Sequence, residues 1–264
     1  MSLKPYLAAI ALSIAALTTQ AAAETIKVGV SPGPHAEILE KVKPAAKAKG
    51  LDIEIVEFSD YVVPNAALDA GEIDANSFQH QPYLDNQIAD RKFDLVSVAT
   101  TVNFPLGIYS SKHKSWDEVP DGATIAIQND PTNGGRALLL LRDKGIIKLK
   151  DGVGYKPTPV DIVENPKNLK IEMLQAEYLA RSLQDVDASV INTNYYLDAE
   201  KNLGVKANVL ARESAEGNPY ANIVAVRKGD EERPEIKKLM ALLQSEAVAD
   251  FLNETYDGAV IPAF

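Results

Sequence analysis

Residues 26–58 switch between two periodicities within a short span, and this limits the possible folds more than any other feature of the chain. IKVGV (26–30) is an apolar run of strand length. Over 36–49, Ile38, Leu39, Val42, Ala45 and Ala46 recur at helical spacing and make one apolar face. LDIEIVEF (51–58) then alternates with period two, setting Leu51, Ile53 and Ile55 against Asp52 and Glu54. Strand, helix and strand in that order give a parallel pair covered by a helix, the unit of a doubly wound α/β sheet.

The alternation continues along the chain. VPNAALDAG (63–71) reads as a short helix ending at Gly71, and LVSVAT (95–100) and LGIYSS (106–111) read as strands. IAIQ (125–128) opens a second α/β unit whose first helix is expected over 136–144. KIEML (170–174), ASVIN (188–192) and NIVAVR (222–227) are further strands, and helices near 234–243 and 245–255 close the chain. The 264 residues suit one large domain or two moderate ones. ALDAGEIDANSF (67–78) and ARSLQDVDASVIN (180–192) echo each other. Each runs from a helix through an Ile-Asp-Ala or Val-Asp-Ala step into a strand end. Either Asp-Ala is a common turn before a strand, or two halves are built alike. In the second case these strand ends correspond and face a cleft, where open α/β sheets hold ligands.

Composition removes several functions. Lys and Arg number 27 against 37 Asp and Glu, a formal charge of −10, so a nucleic-acid face is not expected. There is no cysteine, which excludes disulfides, thiolate metal sites, a cysteine nucleophile and lipid attachment at cysteine. No Gly-x-Ser-x-Gly elbow, Walker loop or His-Glu-x-x-His occurs, so the expectation is a protein that is not an enzyme, with no cofactor and no metal. His80 with Asp74 or Asp85 is the one arrangement offering zinc ligands; a hydrogen-bonded structural histidine is the alternative. Residues 1–23 have the pattern of a secretory signal peptide. Lys4 precedes an apolar stretch (7–17) too short to span a bilayer, and Ala21-Ala22-Ala23 supplies small residues before Glu24. A periplasmic product cleaved near Ala23, with no lipobox cysteine, is therefore expected, against the alternative of a retained anchor.

Several segments could carry a site. QNDPTNGGRALLLL (128–141) sets a turn and two glycines before an apolar helix, with Arg136 expected in its first turn. Free amides at a helix start together with a guanidinium suit an anion such as a carboxylate. The alternative is a surface arginine on a capped helix. Phe78, His80 and Tyr83 cluster in SFQHQPYL (77–84), and Tyr61 lies in FSDYVVPNAAL (58–68). These aromatics either wall an apolar side chain or pack locally. INTNYY (191–196) and NPYANIV (218–224) contribute Asn192, Asn194 and Asn222, whose amides both donate and accept.

FSDYVVPNAAL, GEIDANSFQHQPYLD, NDPTNGGRALLLL, GVGYKPTPVDIVENPKNLKI, VINTNYY and NPYANIVAVR, in this order, cover nearly all of 24–264. In these the chain resembles the NlpA/MetQ family, the methionine-binding proteins of ABC importers. The resemblance implies an α/β, two-lobed periplasmic binding protein fold of type II-like plan, each lobe a mixed sheet flanked by helices with the ligand cleft between. The lobes are expected at 24–105 plus 223–264 and at 106–222. The resemblance also implies that Tyr61, Phe78, His80 and Tyr83 surround a thioether side chain, that Asn133 and Arg136 face its carboxylate, and that Asn192 and Asn222 bind the amino acid head group. Implied partners are methionine (L- and D-) or a related small amino acid, and an ABC permease with its ATPase subunit, which would be the only link to a membrane. The alternatives are another amino acid, a methionine-containing dipeptide, a metal ion or an exported hydrolase.

Overall fold

The computed structural model describes residues 24–264, so the signal-peptide reading of 1–23 lies outside the described residues. The first part of the chain runs β1 (Glu24–Val30), α1 (Pro34–Ala48), β2 (Leu51–Glu57), α2 (Val63–Asp69), β3 (Ala75–His80), α3 (Gln81–Arg91), β4 (Leu95–Thr100) and β5 (Val102–Asn103). The middle part runs β6 (Gly107–Ser110), β7 (Thr124–Gln128), α4 (Pro131–Asp143), β8 (Lys148–Leu149), β9 (Ile162–Glu164), β10 (Lys170–Leu174), α5 (Leu179–Ser182), β11 (Ala188–Ile191), α6 (Thr193–Leu203) and β12 (Asn208–Arg212). The last part is β13 (Asn222–Arg227), α7 (Pro234–Leu243), α8 (Glu246–Tyr256) and β14 (Ile261–Pro262).

Two five-stranded sheets result, in the orders β2-β1-β3-β13-β4 and β10-β7-β11-β6-β12. They share one plan. In each, three strands are parallel (β2, β1, β3 and β10, β7, β11), and the fourth runs antiparallel to both its neighbours. The sheets are thus mixed, where the opening strand–helix–strand alone suggests a parallel one. The physical reason is the crossing of the chain. β6 and β13 each enter a sheet from the other half, and their direction is set by that entry. β3 and β11 occupy the same third place, so the Asp-Ala echo marks corresponding strands.

The helices follow from their apolar faces. α1 lays Ile38, Leu39, Val42 and Ala46 on Ile26, Val28 and Ile53, and α7 and α8 close this core with Leu239 and Leu252. Leu68, Ile73 and Leu84 cover the other side of the first sheet. Ala45, expected on the buried face of α1, is exposed, because it lies on the solvent flank beside exposed Pro44. In the second half Leu138 and Leu141 of α4 pack on Ile125, Ile127 and Val190. α4 starts at Pro131 and not near Arg136. Proline suits the first helical position, where its missing N–H costs nothing, and Asp130 caps it.

At their carboxyl ends, β1, β3, β7 and β11 lead into α1, α3, α4 and α6. α1 packs against α6, and α3 against α4. The corresponding ends of the two sheets therefore face one another across a shared interior.

Candidate ligand-binding cleft

Tyr61, Phe78, His80, Tyr83, Asn133, Arg136, Asn192 and Asn222 all line one cavity, together with Gln79, Phe104 and Asn194. One wall is aromatic. The Tyr61 ring lies 5.8 Å from Phe78 and 6.2 Å from Tyr83, and Phe78 and Tyr83 meet edge to face at 6.1 Å. Tyr83 donates its hydroxyl proton to the Tyr61 carbonyl at 2.8 Å, which ties α3 to the β2–α2 link. Tyr61 donates to Asn194 Oδ1 at 2.7 Å, reaching from the first half of the molecule to the second. Burial drives the Tyr61 and Tyr83 hydroxyls well above the ordinary tyrosine range, so both stay protonated donors.

His80 ends β3 and caps α3. Its Nδ1 accepts the Tyr83 N–H at 3.2 Å, which puts the ring proton on Nε2, 3.3 Å from Asn133 Oδ1. Burial, with the Arg136 charge second, lowers its pKa to about 3, so the imidazole is neutral. His80 is therefore a hydrogen-bonded neutral residue that spans the two halves. Among the described residues no group of three or more His, Asp or Glu side chains could hold a metal ion.

At the helix start, the chain itself engages two of the amides. The amides of Thr132 and Asn133 are already taken by Asp130 Oδ1, at 3.1 and 2.9 Å. Gly134 and Gly135 admit the chain's own backbone: a Cβ on Gly134 would lie 2.6 Å from the Gln128 carbonyl, and one on Gly135 would lie 2.7 Å from that of Tyr155. Arg136 sits one turn further along α4 than expected and is only 2% exposed. Its Nε and Nη2 grip both carboxylate oxygens of Glu213 at 2.9 and 2.6 Å, and Nη2 also donates to the Phe104 carbonyl at 2.9 Å. The fork that could clamp a ligand carboxylate thus clamps an internal one, and among the described residues no hydrogen bond engages Nη1. The Tyr220 ring lies 4.2 Å from the guanidinium carbon and meets His80 edge to face at 5.0 Å.

Amides complete the polar wall. Asn192 donates to Asn133 Oδ1 at 2.9 Å and accepts from Gln128 Nε2 at 2.6 Å. Asn133 also donates to Asp130 Oδ2 at 2.9 Å, so its amide is held by its neighbours. Asn222, at the start of β13, makes one long bond of 3.4 Å to the Tyr220 carbonyl. Asn194 Nδ2 is buried without a partner. Glu213 and Tyr220 escape a sequence reading because they lie far along the chain from Arg136. Asn194 stands in the same INTNYY run that points to Asn192, and its neighbour Tyr195 is seen to matter only once the fold is known.

The family model described as NlpA lipoprotein matches residues 26–264. The chain belongs to the NlpA lipoprotein family. The D-methionine-binding lipoprotein MetQ of Salmonella typhimurium is 47% identical over 242 residues, covering 89% of this chain and 87% of that relative. The protein of the same name from Yersinia pestis is 45% identical, covering 99% of both chains. A nutrient binding protein from Burkholderia cenocepacia, solved bound to methionine, superposes with a TM-score of 0.85 at 48% identity, covering 90% of this chain and 100% of its own. NlpA family membership also brings a correction. The expectation of a free periplasmic protein, cleaved near Ala23 and without a lipobox cysteine, is overturned because the matched family and these MetQ relatives are lipoproteins by name. The absence of cysteine from the 264 residues is no ground for placing this family member free of a membrane.

Proposed function

We propose that the cleft captures methionine and that the protein passes it to an ABC permease with its ATPase subunit. The observation that carries this reading is the division of one small cavity into an aromatic wall and an amide–guanidinium wall. An unbranched, polarizable thioether suits Tyr61, Phe78 and Tyr83. The carboxylate would meet Arg136 Nη1, and Asn192, Asn194 and Asn222 would share the head group, with Asn133 and neutral His80 keeping those amides in place. We take the lobes as 24–105 plus 223–264 and 106–222, a division that follows the two sheets. We read the protein as a binding component and not an enzyme: its relatives carry binding-protein names, and both ring nitrogens of His80 serve structural bonds.

The test is a thermal-shift and calorimetric titration with L-methionine, D-methionine and leucine. Methionine at a hundred times its dissociation constant should stabilise the fold by about 2.7 kcal/mol, and leucine should do less. Equal shifts for methionine and leucine would sink the assignment of the aromatic wall. A second reading, D-methionine as the preferred isomer, is favoured by the names of the Salmonella and Yersinia relatives. The same titration separates the two.

A further inference from the structure

A wide groove opens between the two halves, lined by Ser59, Asp60 and Val62 from one and by Glu177, Arg181 and Tyr195 from the other. Two tyrosines separate this groove from the cavity, and they reach in opposite directions. Tyr61, on the β2–α2 link, donates across to Asn194 Oδ1 at 2.7 Å. Tyr195, on the first turn of α6, donates back to the Ser59 carbonyl at 3.0 Å. Their rings lie 4.8 Å apart, and both residues are buried. Tyr61 lines the cavity, whereas Tyr195 lines only the groove.

We propose that Tyr61 and Tyr195 form a reciprocal clasp across the cleft mouth, in which Tyr195 touches no ligand but holds Tyr61 shut and so sets how long a bound amino acid stays. Three observations carry it: two hydrogen bonds of opposite direction between the same two segments, direct ring contact, and Tyr61 lining the cavity while Tyr195 lines the neighbouring groove. Burial, with nearby Tyr61, Glu177 and Asp60 adding to it, pushes the Tyr195 hydroxyl far above the ordinary range. It therefore remains a donor at every working pH. Opening the lobes requires both bonds and the ring contact to break together. Closure would form them only after the ligand is inside, so the clasp acts on release more than on entry. Tyr195 is thus a positioning residue acting through Tyr61. The proposal rests on the reading of the cavity as an amino acid site.

The variant to make is Tyr195→Phe, which keeps the ring and deletes the bond to Ser59. L-methionine dissociation and association rates are measured by stopped flow. The chain has no cysteine, so spin labels at Ala66→Cys on α2 and Gln184→Cys after α5, both exposed, report the width of the mouth in the ligand-free protein. Loss of one hydrogen bond should speed release about three- to ten-fold, leave association unchanged, and broaden the label distances toward longer values. Release at the parent's rate overturns the proposal, even if the distances shift, because the clasp then does not control residence. If the parent binds no methionine, the proposed function fails. The label distances then decide the clasp alone: an unchanged distribution overturns it and a longer one supports it.

Discussion

The interior holds two clusters of buried amides, and they differ in one respect. Behind β3, Asn65, Asn76 and Gln79 bond to one another. Asn65 Nδ2 donates to Gln79 Oε1 at 2.8 Å, and its Oδ1 accepts from Asn76 and Gln79 at 2.9 and 2.7 Å. In the cleft, Asn192 bonds to Asn133 and accepts from Gln128, which lies off the cavity wall, yet among the described residues Asn194 Nδ2, on that wall, is buried without a partner. A buried polar group left unmatched costs about 1–3 kcal/mol unless something else satisfies it. A cluster whose bonds close on themselves is scaffold. One that leaves a donor beside a cavity is set up for a ligand. Arg136, with two nitrogens on Glu213 and Nη1 unengaged, belongs to both kinds.

That double membership yields the largest expected effect. Arg136→Ala should abolish tight binding, a loss of about 2–5 kcal/mol, because a charge-assisted partner disappears. It should also destabilise the ligand-free protein by about 1–3 kcal/mol, because the partly buried Glu213 loses the guanidinium and keeps Leu106 N–H and Asn218 as partners among the described residues. Calorimetry and urea unfolding read the two losses separately. A variant as stable as the parent would show that the ion pair contributes little to the fold and that Arg136 belongs to the cleft alone.

Acid should act on both halves of this picture alike. His80 in the cleft and His35 behind Phe104 both have pKa values lowered from 6.5 to about 3 by burial. Above about pH 6.5 neither the folded nor the unfolded chain protonates them, and they contribute no pH dependence. Between about 6.5 and about 3 only the unfolded chain binds these protons, so stability falls as the pH falls. Each histidine contributes up to about 1.4 kcal/mol per pH unit in that window. Urea midpoints between pH 7 and pH 4 test this, with His35→Gln expected to flatten the slope. If the parent's midpoint is flat over that range, the histidines do not sit neutral in the folded protein.

Much of the fold is legible in the sequence because apolar periodicity encodes it. β1, α1, β2, β4, β7, β10 and β13 begin or end within a few residues of their apolar runs. β3 shows no such signal: ANSFQH is entirely buried, yet Asn76 and Gln79 bond to each other and to Asn65, and His80 bonds to Asn133 and Tyr83. Only its echo with β11 reveals it. α4 extends earlier than its apolar run because proline and two glycines make a poor helical pattern, although proline fits a first turn and the glycines fit close packing. The candidate residues converge on one cavity since each sits at a strand end or helix start. Their bonding does not follow from position. Nothing local to Arg136 announces Glu213, 77 residues away, whereas Asp130 before Pro131 is a cap signal that the sequence itself carries.

In the closed cluster a single change should alter stability and leave binding alone. Asn65→Ala removes its bonds to Asn76 and Gln79 and strands their polar atoms in a fully buried site. A loss of about 1–3 kcal/mol in unfolding free energy is expected, with the methionine dissociation constant within about two-fold of the parent. A larger change in affinity would mean that the cluster behind β3 shapes the aromatic wall through Gln79, and that the line between scaffold and site is drawn in the wrong place.

The smallest effect tests the other side of that line. Asn194 has one atom in each role: Oδ1 accepts from Tyr61, and Nδ2 has no partner. Asn194→Ala removes both. In the ligand-free protein the removal of an unmatched donor offsets part of the lost bond to Tyr61, so stability should change by less than about 1 kcal/mol. In the complex the offset vanishes, because Nδ2 would then be bonded to the head group. Binding should weaken by about 1 kcal/mol, roughly five-fold. The diagnostic is the difference between the two measurements: calorimetry should report a loss that denaturation of the ligand-free protein does not. Asn65→Ala should give the reverse pattern. If Asn194→Ala instead destabilises the ligand-free protein and binds methionine as the parent does, its spare donor is not a ligand contact. An unmatched buried amide would then be no guide to the site in this cleft.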